Sequence, residues 1–462
     1  MKLEHGTTIC ALATGGGMSA IAVIRVSGKE AFSFCDQVFV GKKGKKLIDQ
    51  KGYTIHFGSI QLEGKIIDEV LVSVFRGPNS YTGEDTLEIS CHGSTYIQQE
   101  ILSALYTTGI QPAKPGEFTL RAFLNGKMDL SQAEAVADLI SSENRASHDL
   151  AIKQLRGGFS QEIAALRERL MNFAALIELE LDFSTEDVEF ADRSLLRTLV
   201  NHVIHVVQGL KESYAMGNVL KQGIPVTIAG RPNAGKSTLL NALLNEERAI
   251  VSPIAGTTRD SIEDTLVIDG ISFRFIDTAG LRESNDEIEN IGIERSYAKI
   301  EEAEIVLYLF DASHANQQQL LEDLGVLRER TGSSKLIIPV GNKVDQLDDS
   351  ATEVFNLLEG AVWISALKKN GIDQLKQQLL NWVNAGLSGP SETIVTNARH
   401  VDALRRAEEN LHAVRQGLDL HIASDLLAID IRGALSTLAE ITGEVNNEDL
   451  LGHIFGKFCI GK

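Results

Sequence analysis

The residues best suited to chemistry lie in five short stretches between positions 224 and 367. "GRPNAGKS", Gly230–Ser237, has the spacing G-x-x-x-x-G-K-S. It sits between a short apolar run, Ile224–Ala229, and a longer helix-like one, Thr238–Leu244. In that setting glycines let backbone N–H groups curl around phosphates, Lys236 reaches the outer phosphates, and the Ser237 hydroxyl ligates Mg²⁺. Asn233, Ala234, Gly235 and Thr238 complete the expected cradle. "FRFIDTAG" ends in Asp277, suited to hold Mg²⁺ through water, and Gly280, whose N–H can meet a γ-phosphate. "GNKVD" supplies Asn342, Lys343 and Asp345. The Asp345 carboxylate can accept both N–H groups on guanine's Watson–Crick edge, which adenine lacks, while the Lys343 stem packs along the base. "ISAL" brings Ser365, Ala366 and Leu367 beside that base, with the Ala366 N–H expected to face the guanine oxygen. "IAGTTRD", Ile254–Asp260, reads as a first switch with Thr258 sensing Mg²⁺ and the γ-phosphate. In this order the motifs predict a GTP-hydrolysing domain on a mostly parallel sheet.

Two details set this nucleotide site apart. Leu281 follows "DTAG" where many GTPases carry a water-orienting Gln, so another group must position the attacking water. Asn233 offers a neutral oxygen beside the phosphates, a candidate ligand for a monovalent cation that would supply transition-state charge. Arg259 and Arg282 are rival sources of that charge.

The elements that must position these residues belong to a chain of 462 residues, long enough for roughly three domains, with a formal net charge of -19. That charge argues against a general polyanion-binding surface, so nucleic-acid contact is expected to be local or shared with a partner. The one basic run, "GKKGKK" (Gly41–Lys46), reads as a solvated loop. Cys10, Cys35, Cys91 and Cys459 form no CxxC pair or disulfide framework, and neither a signal peptide nor a membrane span is visible. A cytoplasmic protein with no membrane partner is expected. Residues 1–125 alternate apolar and polar positions, as in "AIAVIRVSG", "EVLVSVF" and "TLEISCHG", and predict an α+β domain. Residues 126–218 turn helical, with Ile163, Leu166, Leu170, Phe173 and Ile177 forming one stripe. The α/β nucleotide domain occupies 219–384, and helix resumes over 385–462 after "GLSGPSET". The expected fold is multi-domain: an α+β N-terminal domain, a discontinuous all-α domain, and an α/β P-loop GTPase domain inserted into it.

Across nearly its whole length the chain resembles the tRNA-modification GTPase family MnmE, also called TrmE. The motifs that carry the resemblance include "VIRVSG", "GPNSYTGEDTLEISCHG", "KPGEFTLRAFLNGKMDLSQAEAVADLI", "AGRPNAGKST", "DTAGLRESNDEIENIGIERS", "EITGE" and the terminal "FCIGK". The resemblance implies a folate-binding N-terminal domain that also dimerises, and a K⁺-stimulated GTPase. It also implies an FAD-dependent partner, GidA (MnmG), in a heterotetramer or larger complex. With that partner, the family forms an aminomethyl or carboxymethylaminomethyl group at the five-position of the wobble uridine in certain tRNAs. The one-carbon unit would come from 5,10-methylene- or 5-formyl-tetrahydrofolate. By the same resemblance Asn233, Ser252, Ile254 (through its carbonyl) and Thr257 are K⁺ ligands, Ser237 and Thr258 are Mg²⁺ ligands, and Glu289 orients the hydrolytic water that Leu281 cannot. Folate would meet Arg25, Glu88, Lys127 and Lys462, where cations suit its glutamate carboxylates and Glu88 suits the N–H groups of the pterin. Two stretches depart from the family pattern: "TGGGMSA" (Thr14–Ala20) replaces a Pro/Arg-bearing loop, and Pro253 stands where an acidic residue is common.

A regulatory G-protein switch or assembly factor is the alternative from another class, and a GTP-regulated one-carbon transferase a third. The N-terminal domain and the terminal "FCIGK" discriminate, because a pure switch would need neither. Gly461 and Lys462 exclude a prenylation box. A buried structural thiol is the ordinary alternative; the resemblance implies instead that Cys459 is a thiol delivered near the folate pocket, catalytic as either nucleophile or redox partner.

Overall fold

The computed structural model describes residues 6–182, 192–244, 264–276, 300–331, 335–347, 358, 360–387, 393–445 and 448–462. The chain forms two compact units, one of residues 1–140, 153–199 and 413–462, the other of 141–152 and 200–412.

The first unit holds a seven-stranded sheet of β1 (Ile9–Leu12), β2 (Ile21–Ser27), β3 (Phe39–Gly41), β4 (Thr54–Leu62), β5 (Lys65–Phe75), β6 (Thr86–His92) and β7 (Gln111–Pro112). Its order is β3-β4-β5-β6-β2-β1-β7, antiparallel except where β1 meets β7. The period-two pattern of the sequence is realised directly. Ala22, Ile24 and Val26 on β2, Val70, Val72 and Val74 on β5, and Leu87 and Ile89 on β6 are buried. They share a core with Ile101, Ala104 and Leu105 of helix α2 (Thr95–Thr107) and with the short α1 (Ala31–Cys35). The opposite face carries Arg25 and Glu88, which are directly paired across β2 and β6. That cross-strand row continues through Ser73 to Ile55, where Ile55, Phe57 and Leu71 are exposed.

Helices α3 (Glu117–Leu124), α4 (Leu130–Ile140), α5 (Arg145–Leu155), α6 (Gly158–Asp182) and α7 (Arg193–Gln222) follow. On α6 the expected stripe is buried at Ile163, Leu166, Leu170 and Ile177. Phe173 is only half-buried, and the smaller Ala174 takes the inward position. Each fully buried aliphatic side chain is worth about 1.5–3 kcal/mol relative to exposure, which explains why the stripe dominates the helix's weak intrinsic preference.

The second unit holds β8 (Ile224–Gly230), α8 (Lys236–Leu244), β9 (Asp264–Ile268), β10 (Ile271–Phe275), β11 (Ile305–Asp311), α9 (Gln317–Thr331), β12 (Leu336–Asn342), β13 (Val362–Trp363) and α10 (Ile372–Leu387). The sheet order is β13-β12-β11-β8-β10-β9, parallel except between β9 and β10. These strands read as nearly continuous apolar runs because helices cover both faces. Strand β8 lies between β10 and β11, so the sheet's order reverses beside its C-terminal end, where open α/β sheets bind ligands. The chain continues with α11 (Ala398–Asp419), α12 (Ser424–Thr442) and α13 (Glu448–Phe455).

Candidate functional site

In the second unit the loop from Gly230 to Lys236 leaves β8 and enters α8, so the first N–H groups of α8 face the cradle. Gly235 has φ +95°, and a Cβ there would come within 2.3 Å of Asn342 Nδ2. Only glycine fits. Asn342, buried at the end of β12, donates from Nδ2 to Ala234 O (2.8 Å) and accepts the Ala366 N–H at Oδ1 (2.9 Å). One carboxamide thus ties the phosphate loop to the base-recognition loop. The Ala366 N–H, expected to face guanine's oxygen, is engaged by Asn342. Lys236 Nζ donates to Gly230 O at 2.9 Å, and desolvation lowers its pKa.

The Ser365 hydroxyl hydrogen-bonds the Asp345 carboxylate, holding its pKa below the ordinary value of 3.8, with Lys368 Nζ at 3.9 Å. An ionised carboxylate fixed this way is an acceptor pair for two N–H donors. Lys343, at φ 65°, donates from Nζ to Asp311 Oδ2 at 2.7 Å. Partial burial pushes the Asp311 carboxyl up, but hydrogen bonds from Lys343 and Ser313 outweigh it and leave the pKa lowered. Asp311 was missed in the sequence, although it ends strand β11 in register with Asn342 on β12. A carboxylate at the C-terminal end of a parallel strand was the available signal. Arg231, also missed, turns its guanidinium to Asp323 on α9. Ser237 and Thr238 lie in the first turn of α8. Ser252, Ile254, Thr257, Thr258, Asp277, Gly280, Leu281 and Glu289 fall outside the described residues.

The first unit assembles another site from distant parts of the chain. Arg25 donates from Nε (3.0 Å) and Nη2 (2.8 Å) to Glu88 Oε1, leaving Oε2 open to a ligand's N–H. Its guanidinium lies 5.0 Å from the Tyr81 ring centroid and 5.7 Å from that of Phe118. Arg25 Nη1 also meets Gly461 O at 3.5 Å, bringing the C-terminal tail to the site. Gly461 has φ +98°, and a Cβ there would lie 2.1 Å from Leu12 O. Lys462 follows it, its pKa lowered first by desolvation and then by Arg25, with Glu88 opposing. Lys127 Nζ donates to Pro78 O at 3.0 Å in the loop that carries Tyr81. Of the four expected residues, Arg25, Glu88 and Lys462 are brought together, and Lys127 braces the adjoining loop. Arg121, buried in α3, holds the far end of that loop through Glu84 (3.1 Å) while also pairing with Glu117 (2.9 Å).

The tail itself is anchored by Phe455 and Phe458, which pack with Phe123, and by the Gly116 N–H on Cys459 O at 3.4 Å. Cys459 is exposed, whereas Cys10, Cys35 and Cys91 are buried free thiols. Burial pushes Cys10 up to about 12 and Cys91 to about 11, so neither is a nucleophile near neutrality. Among the described residues no helix is long and apolar enough to cross a membrane.

Two family models match the chain: "GTP-binding protein TrmE N-terminus" over residues 8–127 and "MnmE helical domain" over residues 130–459. The tRNA modification GTPase MnmE of Flavobacterium johnsoniae is 56% identical over 461 residues, spanning 98% of this chain and 99% of that protein. Its namesake from Christiangramia forsetii is 54% identical over 100% of both chains, and that from Bacteroides thetaiotaomicron 52% identical over 98% and 99%. With the phosphate loop described and similarity running over the full length, the chain belongs to the MnmE (TrmE) family of tRNA modification GTPases.

Proposed function

We propose that this chain hydrolyses GTP while modifying the wobble uridine of certain tRNAs, with a tetrahydrofolate supplying the carbon. The single observation that carries the guanine half is the Asp345 carboxylate, set in the turn just after β12, bonded by Ser365 and with Lys368 Nζ at 3.9 Å. Family membership carries the tRNA half. In the proposed cycle Asp345 selects guanine, while Lys236 and the loop N–H groups hold the phosphates. Ser237 and Thr258 would hold Mg²⁺, which neutralises phosphate charge when bound. Asn233, Ser252, Thr257 and the Ile254 carbonyl would hold K⁺; an all-oxygen donor set suits a hard cation. Glu289 orients the attacking water, the task Leu281 cannot perform.

In the N-terminal part, Arg25 and Lys462 offer cations to folate carboxylates, Glu88 Oε2 accepts a pterin N–H, and Lys127 supports the covering loop. Cys459, the exposed thiol of the tail, acts on the substrate side. The exposed Ile55, Phe57 and Leu71 beside this site support homodimerisation through the N-terminal sheet. With a net charge of -19, tRNA is held jointly with the FAD-dependent GidA (MnmG) partner rather than by this chain alone. The same reading takes 1–125 as the folate and dimerisation domain, 126–218 with 385–462 as the helical domain, 219–384 as the inserted GTPase domain, and the cytoplasm as the setting.

The test is mass spectrometry of tRNA nucleosides from cells lacking the gene, complemented by wild type or by Cys459→Ser. Wobble uridine should be unmodified without the gene and restored only by wild type, with GTP hydrolysis by Cys459→Ser intact. Unchanged tRNA in the deletion strain would overturn the reading.

A further inference from the structure

The phosphate loop contains a second cation besides Lys236, and its side chain is already committed elsewhere. Arg231 donates from Nε to Asp323 Oδ2 (2.9 Å) and from Nη2 to Asp323 Oδ1 (3.1 Å), a two-point bond. The Tyr308 hydroxyl donates to Asp323 Oδ2 at 2.5 Å. Tyr308 is buried on β11, directly opposite Ala229 of β8 in the parallel register. Asp323 is placed by α9, whose Leu320, Leu324 and Leu327 pack into the same core as Tyr308 and Phe310. Three rigid elements therefore converge on the first residue after β8. Two positions further on, Asn233 holds φ 61°, a left-handed conformation that asparagine adopts more readily than other non-glycine residues. The other end of the loop is fixed independently, by Asn342 on Ala234 O.

We propose that Arg231, Asp323 and Tyr308 form a tether that sets the first half of the phosphate loop, making Arg231 a positioning residue rather than a source of charge for the phosphates. The inference rests on the guanine-nucleotide reading of this site. Phosphate binding needs the backbone N–H groups that follow Pro232 aimed inward before the ligand arrives, and the tether and the Asn342 bond hold that arc from both sides. Arg231, bonded to the Asp323 carboxylate, is withheld from the bound phosphates, which leaves transition-state charge to another group.

The test is titration of GDP and of IDP, which lacks the 2-amino group that Asp345 would read, into full-length wild type, Asp323→Asn, Tyr308→Phe and the exchange Arg231→Asp with Asp323→Arg. Asp323→Asn should weaken GDP about fivefold, equivalent to ~1 kcal/mol at 1.4 kcal/mol per tenfold, and Tyr308→Phe about twofold. The ratio of IDP to GDP affinity should stay at the wild-type value in both, because the base site is untouched. The exchange variant should recover most of the loss. Wild-type GDP affinity in Asp323→Asn would overturn the tether, as would a parallel loss of base discrimination. Should Asp323→Asn fail to fold, Tyr308→Phe still decides, since an unchanged affinity there removes the third anchor. A wild-type protein that binds neither nucleotide would instead refute the guanine-nucleotide reading itself.

Discussion

The nucleotide cradle and the Arg25–Glu88 cluster bring their residues together by opposite routes. In the cradle the functional residues arrive in contiguous motifs at the ends of parallel strands β8 and β12, and backbone geometry does most of the positioning. Gly235 shows this: one added carbon would strike Asn342. At the N-terminal site the partners are 63 residues apart on antiparallel strands, and the third wall comes from Gly461, 436 residues from Arg25. Here side chains and a docked tail do the positioning. A site built on backbone announces itself in sequence; one built from assembled side chains does not.

The two can be separated by substitution, beginning with the largest effect. Asp345→Asn should weaken GDP about 100-fold, because two charge-assisted bonds of roughly 1.5 kcal/mol each are lost at 1.4 kcal/mol per tenfold. Xanthosine diphosphate should then bind better than GDP in a fluorescence titration, and folate binding should be unaffected. Retained GDP preference would break the assignment of Asp345. Hydrolysis measured in KCl should exceed that in NaCl at least tenfold, the scale of one lost transition-state contact. Equal rates would remove the cation roles of Asn233, Ser252, Ile254 and Thr257.

Arg25→Ala should weaken tetrahydrofolate binding by calorimetry about tenfold, one charge-assisted contact, with GTP turnover at the wild-type level. A fall in both would mean that the sites are coupled rather than separate. Gly461→Ala forces the tail off Leu12 and should weaken folate binding about threefold, at the lower end of a single hydrogen bond's worth. If the tail forms no wall, the affinity will not move. The smallest effect concerns pH. Asp345 has a lowered pKa in the folded protein, so its charge persists above the ordinary value of 3.8 and is lost only as pH falls through the lower folded value. The ratio of GDP to IDP affinity should therefore be flat from pH 7 to pH 5, because the diphosphate titrates alike in both ligands; a change in that ratio with a midpoint near pH 6 would point to a histidine instead.

Much of the fold was legible because burial repeats with the period of the element. "AIAVIRVSG" and "TLEISCHG" became β2 and β6 with alternate residues inside, and the α6 stripe was correct except at Phe173, where packing favoured Ala174. Other features have partners that no local signal gives. In the sequence Asp311 merely ends an apolar run, and Asp323 is one polar residue among many in Gln317–Thr331. Neither reveals its partner until β11 and α9 are docked, since Lys343 and Arg231 lie 32 and 92 residues away.

By itself the sequence determined the texture of strands and helices, the phosphate loop and the kinship of the chain, because these depend on residues within a few positions of one another. Tertiary structure alone decided that Asn342 joins the two halves of the nucleotide site, that Arg231 faces Asp323, and that Arg25 meets the tail through the Gly461 carbonyl. The reason is physical. Hydrogen bonds act over about 3 Å, and only the packed core brings residues hundreds of positions apart within that reach.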